Sequence, residues 1–448
     1  MHPIMAIHTT PASSFLHESP MPHPSTAPSV IRPLMAALAM AFALAAQAAP
    51  VADVHALAQQ EQQPLLDTLR DLVHIESGSK DIEGLNEIAQ RIAGQLKQLG
   101  GAVDVLQTSD IYRLDDTPEK VGPAVQAVFK GTGTKKIMLI AHMDTVYLKG
   151  MLKAQPFRID GNRAYGLGIS DDKQGIALIL HTIAVLQKLN FKDYGTLTVL
   201  INGDEEISSP GWRSTITRMA AEQDVVFSFE GGGTDGTLRL ATSGIGAAYL
   251  TVQGKASHAG AKPEDGVNAL YELSHQLLQM KDLSKTDEGL KLNWTVSKAG
   301  TNRNVIPAEA TAQADARALR VADFDGLEKS LQEKVQSKLL PASKVDVKFE
   351  VRRPPLEAND ASRRVAGYGK VIYQELGMPL NVVEKATGGG TDAAFAALKT
   401  KGAVVEGMGL SGYGAHSNDA EYVQINTIVP RLYLAARMVM DISRGVLK

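Results

Sequence analysis

The sequence contains no cysteine. That absence excludes a disulfide, a thiolate metal site and a cysteine nucleophile together. Any metal must therefore sit on histidine, aspartate and glutamate. Charge of one sign is also missing: the formal balance is −3 and no long basic run occurs, so nucleic acid is not an expected partner. Long apolar runs are absent except for one near the start.

That run is "PLMAALAMAFALAAQAA", following Arg32. It is too short to span a bilayer comfortably and ends in the small-x-small pattern "AQA". Residues 1–48 are expected to be a signal peptide cut near Ala48–Ala49, with an uncleaved anchor as the alternative. The segment before Arg32 is long for such a signal, which leaves Met21 and Met35 open as true starts. Secretion without cysteine suits a bacterial periplasm, and no membrane contact is expected after cleavage.

What remains is an ordinary globular composition, with 44 % apolar and 21 % charged residues in a chain of 448. That length argues for more than one core. Apolar positions recur at helical spacing from Val54 to His74 and over 82–100. Short runs rich in Val, Ile, Leu or Phe follow at 137–141, 197–201, 225–229 and 403–409, with helical stretches between several of them. This alternation predicts an α/β fold with a mostly parallel sheet wrapped by helices. The middle differs. Strand-like segments at 246–256, 290–300, 308–319 and 344–351 flank amphipathic helices at 267–283 and 324–339, which predicts an inserted α+β unit. The expected division is 49–243 and 356–448 for a split catalytic domain and 244–355 for the insertion.

Polar groups gather where those runs end. "IMLIAHMDTV" places His142 and Asp144 at the carboxyl end of a strand. "AYGLGISDDKQG" places Asp171 in a glycine-loosened loop before a helix. "LTVLINGDEE" ends in Glu205 and Glu206, "VVFSFE" ends in Glu230, and "GYGAHSNDAEYV" supplies His416. In open α/β sheets, ligands collect outside the carboxyl ends of strands. Imidazole and carboxylate ligands suit zinc, and also cobalt or manganese. A carboxylate bridging two metals about 3.5 Å apart makes a two-metal hydrolase site. One set would be His142, Asp171 and Glu230; the other would be Asp171, Glu206 and His416. Glu205 is then free to act as general base, and Asp144 can accept the other N–H of His142.

These residues, in the motifs "HMDTV", "YGLGISDDK", "GDEEISSPG", "GKASHAG", "GGGTDAA" and "GAHSNDAEYV", make residues 55–448 resemble the di-zinc aminoacylase/carboxypeptidase metallopeptidases. Within them the likeness is to the secreted bacterial glutamate carboxypeptidases of the carboxypeptidase G type. The resemblance implies a zinc-exopeptidase-like catalytic domain with a ferredoxin-like insertion that serves as lid and forms a homodimer. It implies two zinc ions per subunit, a bridging Asp171, a cis Asp171–Asp172 peptide and Glu205 as base. It further implies that His258 reaches across the dimer to the oxyanion, that Asn304 assists, and that Arg317 takes the substrate carboxylate. Gly389 and Gly390 would offer backbone N–H groups to an anionic end, and Arg353 is a second candidate for that task. The implied reaction is hydrolysis of the amide to a C-terminal amino acid, glutamate first, in peptides, N-acyl-glutamates or folates. N-acyl amino-acid deacylation or dipeptide cleavage by the same site is the alternative. The sequence departs from the pattern in "GGGTDG" after Glu230, in Thr237 or Leu238 where a lysine is expected, and in Gln174 where a glycine is usual.

Overall fold

A computed structural model describes residues 49–447, with Thr387 and Asn418 excepted. The expected signal peptide lies outside the described residues. No described helix is long and apolar enough to cross a membrane.

The central sheet has six strands, in the order Ala102–Leu106, Ala124–Lys130, Thr196–Asn202, Lys136–His142, Val225–Ser228, Ala403–Val405. The last four pair in parallel, and Ala124–Lys130 runs antiparallel to both of its neighbours. The apolar runs are continuous because the sheet is covered on both sides. Ile137 and Leu139 point into one core with helices Ile82–Gln98, Gln174–Lys188 and Ile428–Ser443, while Met138 and Ile140 point into a second with Trp212, Ile216 and Phe395. Each such side chain, once buried, is worth roughly 1.5–3 kcal/mol relative to exposure.

The helix Gln174–Lys188 is buried along most of its length, so its start is held firmly. Close approach there needs glycine: a Cβ on Gly175 would lie 2.4 Å from both Asp172 Oδ1 and the Phe229 carbonyl oxygen. The helical stretch anticipated over Val54–His74 is two helices, Ala52–Gln60 and Gln62–Val73, joined at the buried Glu61.

Residues 244–353 form a separate four-stranded antiparallel sheet, in the order Lys291–Ala299, Glu309–Ala318, Gly244–Gln253, Lys344–Arg353. Helices Ala269–Met280 and Val321–Lys334 cover one face, around Leu273, Phe324, Leu327 and Leu331. The strands alternate buried and accessible positions, as the period-2 pattern of a one-sided sheet requires. Its last strand delivers Arg353 back to the central sheet.

Candidate metal centre

Three parallel strands end side by side, and their carboxyl ends supply the ligand-bearing residues or loops. His142 is the last residue of its strand; Glu205 and Glu206 follow Thr196–Asn202 after a turn; Glu230 follows Val225–Ser228. Asp171 and Asp172 come from the loop before the buried helix, joined by a cis peptide. His416 arrives from a distant loop with a left-handed φ of 61°.

These residues form two groups. In one, His142, Asp172 and Glu230 bring ligand atoms within 4.8 Å of one another, and in the other Asp171, Glu206 and His416 do the same. Asp171 faces both: its Oδ1 is 2.9 Å from His142 Nε2 and its Oδ2 is 3.3 Å from His416 Nε2. His142 Nε2 is also 3.4 Å from Glu230 Oε1, and His416 Nε2 is 3.1 Å from Glu206 Oε2. The five residues singled out in the sequence as ligands therefore converge. Asp172 joins them, but its Oδ1 accepts from Gln174 Nε2 at 2.8 Å. Gln174 also donates to the Phe229 carbonyl and accepts from the Leu410 N–H. The glutamine that departs from the pattern thus ties three loops together behind the site.

The electrostatics test whether cations fit here. Burial pushes Asp172, Glu205, Glu206 and Glu230 toward their neutral forms, Glu206 up to about 7. Burial alone would lower His142, but Glu230, Asp144 and Asp171 outweigh it and hold the imidazole well above its ordinary value. Hydrogen bonds to Asp171 and Glu206 push His416 up to about 11. Glu206 Oε1 is buried with no hydrogen-bond partner. A crowd of carboxylates that resist ionisation, with an orphaned oxygen and two imidazoles aimed into it, fits a pair of divalent cations that would favour ionised carboxylates and unprotonated ring nitrogens.

Supporting residues fix the ligands. Asp144 is fully buried. It accepts from Ser79 Oγ at 2.8 Å and from the backbone N–H groups of Glu205 at 2.9 Å and Glu206 at 3.1 Å, and its Oδ1 lies 3.3 Å from His142 Nδ1. Glu421, quoted in its motif but given no role, accepts the N–H groups of Gly168, Ser170 and Asp171 and so shapes the Asp171 loop. Asp392 accepts from Asn202 Nδ2 at 2.9 Å, from Ser209 Oγ and from Arg353. Neither acid has a periodic signal in the sequence, because loops carry them.

A cavity of about 490 Å3 opens beside the clusters, lined by Glu205, Glu206, Glu230, Arg239, Arg317, Gly389, Gly390 and His416 among others. Arg317 forks onto Asp315 and donates to the Gly388 carbonyl at 3.1 Å. Arg353 was expected at a substrate carboxylate. It lines this cavity, is 2 % exposed and pairs with Glu205 and Asp392, as a buried guanidinium needs carboxylate partners. Arg239 was missed. It donates to the Gly231 carbonyl at 2.8 Å, and no carboxylate among the described residues pairs with it. His258 and Asn304 are exposed on the inserted unit and do not line this cavity. The backbone N–H groups of Gly260 and Ala261 fix the His258 ring through Nδ1.

Comparison with known proteins follows the same lines. The family model "Peptidase family M20/M25/M40" matches residues 138–441. Carboxypeptidase G2 of Pseudomonas sp. (strain RS-16) is 44 % identical over 422 residues, which is 93 % of this chain and 99 % of the relative. Among solved structures, aminopeptidase PepT from Bacillus cereus ATCC 10987 superposes with a TM-score of 0.70 at 22 % identity, covering 85 % of this chain and 98 % of that one. The M20 family metallo-carboxypeptidase Sso-CP2 from Sulfolobus solfataricus gives 0.66 at 17 % identity, covering 84 % and 98 %. These two likenesses concern the fold.

Proposed function

This chain belongs to the peptidase family M20/M25/M40 and is a metallopeptidase hydrolase; from that premise we propose that it is a carboxypeptidase releasing C-terminal glutamate from peptides and N-acyl-glutamates, with folates as candidate substrates. The observation that carries the glutamate preference is the cavity walled by Arg317, Arg353 and Arg239, the last donating to the Gly231 carbonyl. Three guanidinium groups on one cavity suit a leaving amino acid with two carboxylates, one on its α-carbon and one on its side chain. The missing lysine of the sequence pattern is thereby replaced by a cation two positions from Thr237.

The metals would be held by His142, Asp171, Glu206, Glu230 and His416, with Asp171 shared; zinc suits this donor set. When bound, they supply Lewis-acid polarisation and a nucleophilic water at neutral pH. Glu205 takes a proton from the attacking water and returns it to the departing nitrogen. The carbonyl carbon gains the water oxygen as the C–N bond breaks, leaving a carboxylic acid and a free amino acid. Burial pushes Glu205 toward its neutral form and Arg353 opposes that push. Asp144 holds His142 and the backbone of both glutamates.

We assign residues 244–355 to a lid that pairs with a second copy. Leu270, Tyr271 and Leu278 on helix Ala269–Met280 and Val296 on its neighbouring strand stand exposed there, which supports an apolar contact between copies. His258 and Asn304 would then serve the site of the second copy. Cleavage of residues 1–48 and export to the periplasm belong to the same reading.

The test is a panel of N-acetyl-glutamate, N-acetyl-glutamine, Ala-Glu and folate, assayed with metal-reconstituted protein for release of the terminal amino acid. Glutamate substrates should exceed the glutamine analogue by tenfold or more in kcat/KM. Equal rates on both would remove the glutamate preference, and cleavage confined to Ala-Glu would make the enzyme a dipeptidase.

A further inference from the structure

The segment "GGGTDG" after Glu230 departs from the sequence pattern, and the proposed reaction leaves most of it without a task. It lies between two guanidinium groups. A Cβ on Gly233 would stand 3.0 Å from Arg239 Nη2, and a Cβ on Gly232 would stand 2.6 Å from Arg431 Nη2. Arg239 lines the cavity beside the metal centre. Arg431 does not: it is 1 % exposed, in the first turn of the helix Ile428–Ser443.

Arg431 is a buried cation short of an anion. Neither Nη1 nor Nη2 has a hydrogen-bond partner among the described residues. The Tyr373 ring centroid is 5.8 Å from its Cζ. Asp235 bears on it electrostatically, but that carboxylate accepts from Thr237 Oγ1 at 3.1 Å and Asn381 Nδ2 at 3.3 Å and forms no ion pair with Arg431. Burial lowers the Arg431 pKa, and Arg239 adds to that effect. Arginine keeps its proton in proteins, so the buried charge needs a counter-charge.

The surroundings supply the rest of an anion site. A Cβ on Gly236 would lie 2.9 Å from Arg431 Nη2 and 3.0 Å from Ser411 Oγ, so two polar groups face one point that glycine leaves unfilled. Gly236 has a φ of 67°, which a side chain would rarely adopt. Ser411 is 4 % exposed. The first turn of a 16-residue helix adds the favourable end of its dipole. With the Gly232 and Gly236 backbones so close to Nη2, the space suits a single-atom anion and not a sulfate or phosphate.

We propose that Arg431 and Ser411 hold a chloride ion, at a site separate from the metal centre, and that this ion fixes the 231–236 segment. Arg239 rests on that segment through the Gly231 carbonyl, so the ion steadies the cavity wall from within. The assignment is independent of which amide the enzyme cleaves.

The experiment uses metal-loaded protein in sodium chloride, sodium bromide or sodium gluconate at equal ionic strength. Chlorine NMR line widths should show binding to wild type that bromide competes away. Arg431→Met should weaken it by about tenfold or more, as loss of a charged hydrogen-bond donor does, and Ser411→Ala by about threefold. Ser411→Ala removes one hydroxyl and carries the test if Arg431→Met fails to fold. Crystals grown in bromide should show an anomalous peak at hydrogen-bond distance from Arg431. Amide exchange in residues 231–236 should be slower in chloride than in gluconate for wild type, and equal in the two salts for Arg431→Met. Halide held by the metals would survive both substitutions. Line broadening unchanged in both variants, no broadening in wild type, or bromide found only elsewhere overturns the site. Exchange in wild type that ignores the salt overturns the ion's hold on the segment.

Discussion

Arg353 Nη2 lies 2.9 Å from Glu205 Oε1, and the same nitrogen donates to the Glu205 carbonyl oxygen at 2.7 Å. One guanidinium thus fixes both the carboxylate and the backbone of the proposed base, while its other arm binds Asp392 at 2.8 Å. Burial drives the Glu205 pKa up and Arg353 opposes that rise. Removing the arginine should therefore move the acid limb of the kcat/KM profile to higher pH, because the base then loses its proton later as pH increases. Arg353→Met should show this shift with a loss of about tenfold or more at neutral pH. Arg353→Lys should lie between it and wild type. A pH–rate profile with an unmoved acid limb in folded Arg353→Met would contradict the coupling.

Asp144 reaches His142, Glu205 and Glu206 at once. A carboxylate that orients a ligating imidazole is worth roughly 10–100-fold in metal affinity. Asp144→Asn should lose metal to a competing chelator over that range, and competition titration checks it. Unchanged affinity would mean the imidazole is oriented by the Asp144 carbonyl, 3.1 Å away, and not by the carboxylate.

Arg239→Gln should collapse the preference for glutamate over glutamine leaving groups. Hydrogen bonds to a charged partner are worth about 1.5–3 kcal/mol, or roughly 10–150-fold in the ratio of kcat/KM. Hydrolysis of an alanine-terminated substrate should continue, since that leaving group has no side-chain carboxylate. Parallel losses on all three substrates would show that Arg239 serves only to hold the Gly231 carbonyl.

Away from the centre, the Glu61 side chain joins the first two helices to Gln174–Lys188 through His181 Nδ1 at 2.5 Å and Lys188. The bond from His181 holds the Glu61 pKa below its usual 4.5 in spite of burial. A depressed carboxylate stabilises the fold above its unfolded pKa, and that contribution fades as pH falls through the folded value. Glu61→Gln should cost about 1–3 kcal/mol at neutral pH. In urea titrations the gap from wild type should close only below the ordinary carboxylate range. A gap independent of pH would contradict the ionised pairing.

Much of this was legible in the sequence wherever chemistry coincides with a strand end. The runs at 137–141, 197–201 and 225–229 are strands because both faces of the sheet are covered, and their exits bear His142, the Glu205–Glu206 pair and Glu230. Arg239 and Asp392 were not legible: their roles arise from a short strand and a helix start that meet the site only after folding. The partners of Arg353 were hidden for a related reason. Sequence shows an arginine after a strand, but only the fold reveals that Glu205 and Asp392 enclose it. The break at Glu61 escaped notice because apolar spacing continues almost in phase across it.

The most direct test is elemental analysis of purified protein beside Asp171→Ala and Glu205→Gln. If Asp171 bridges two cations and Glu205 only moves protons, wild type and Glu205→Gln should each hold about two divalent ions per chain, with turnover in Glu205→Gln lower by roughly two to four orders of magnitude, and Asp171→Ala should fall below that stoichiometry. Wild-type protein that is active without any divalent ion, or an Asp171→Ala variant that keeps the full complement, would contradict the account.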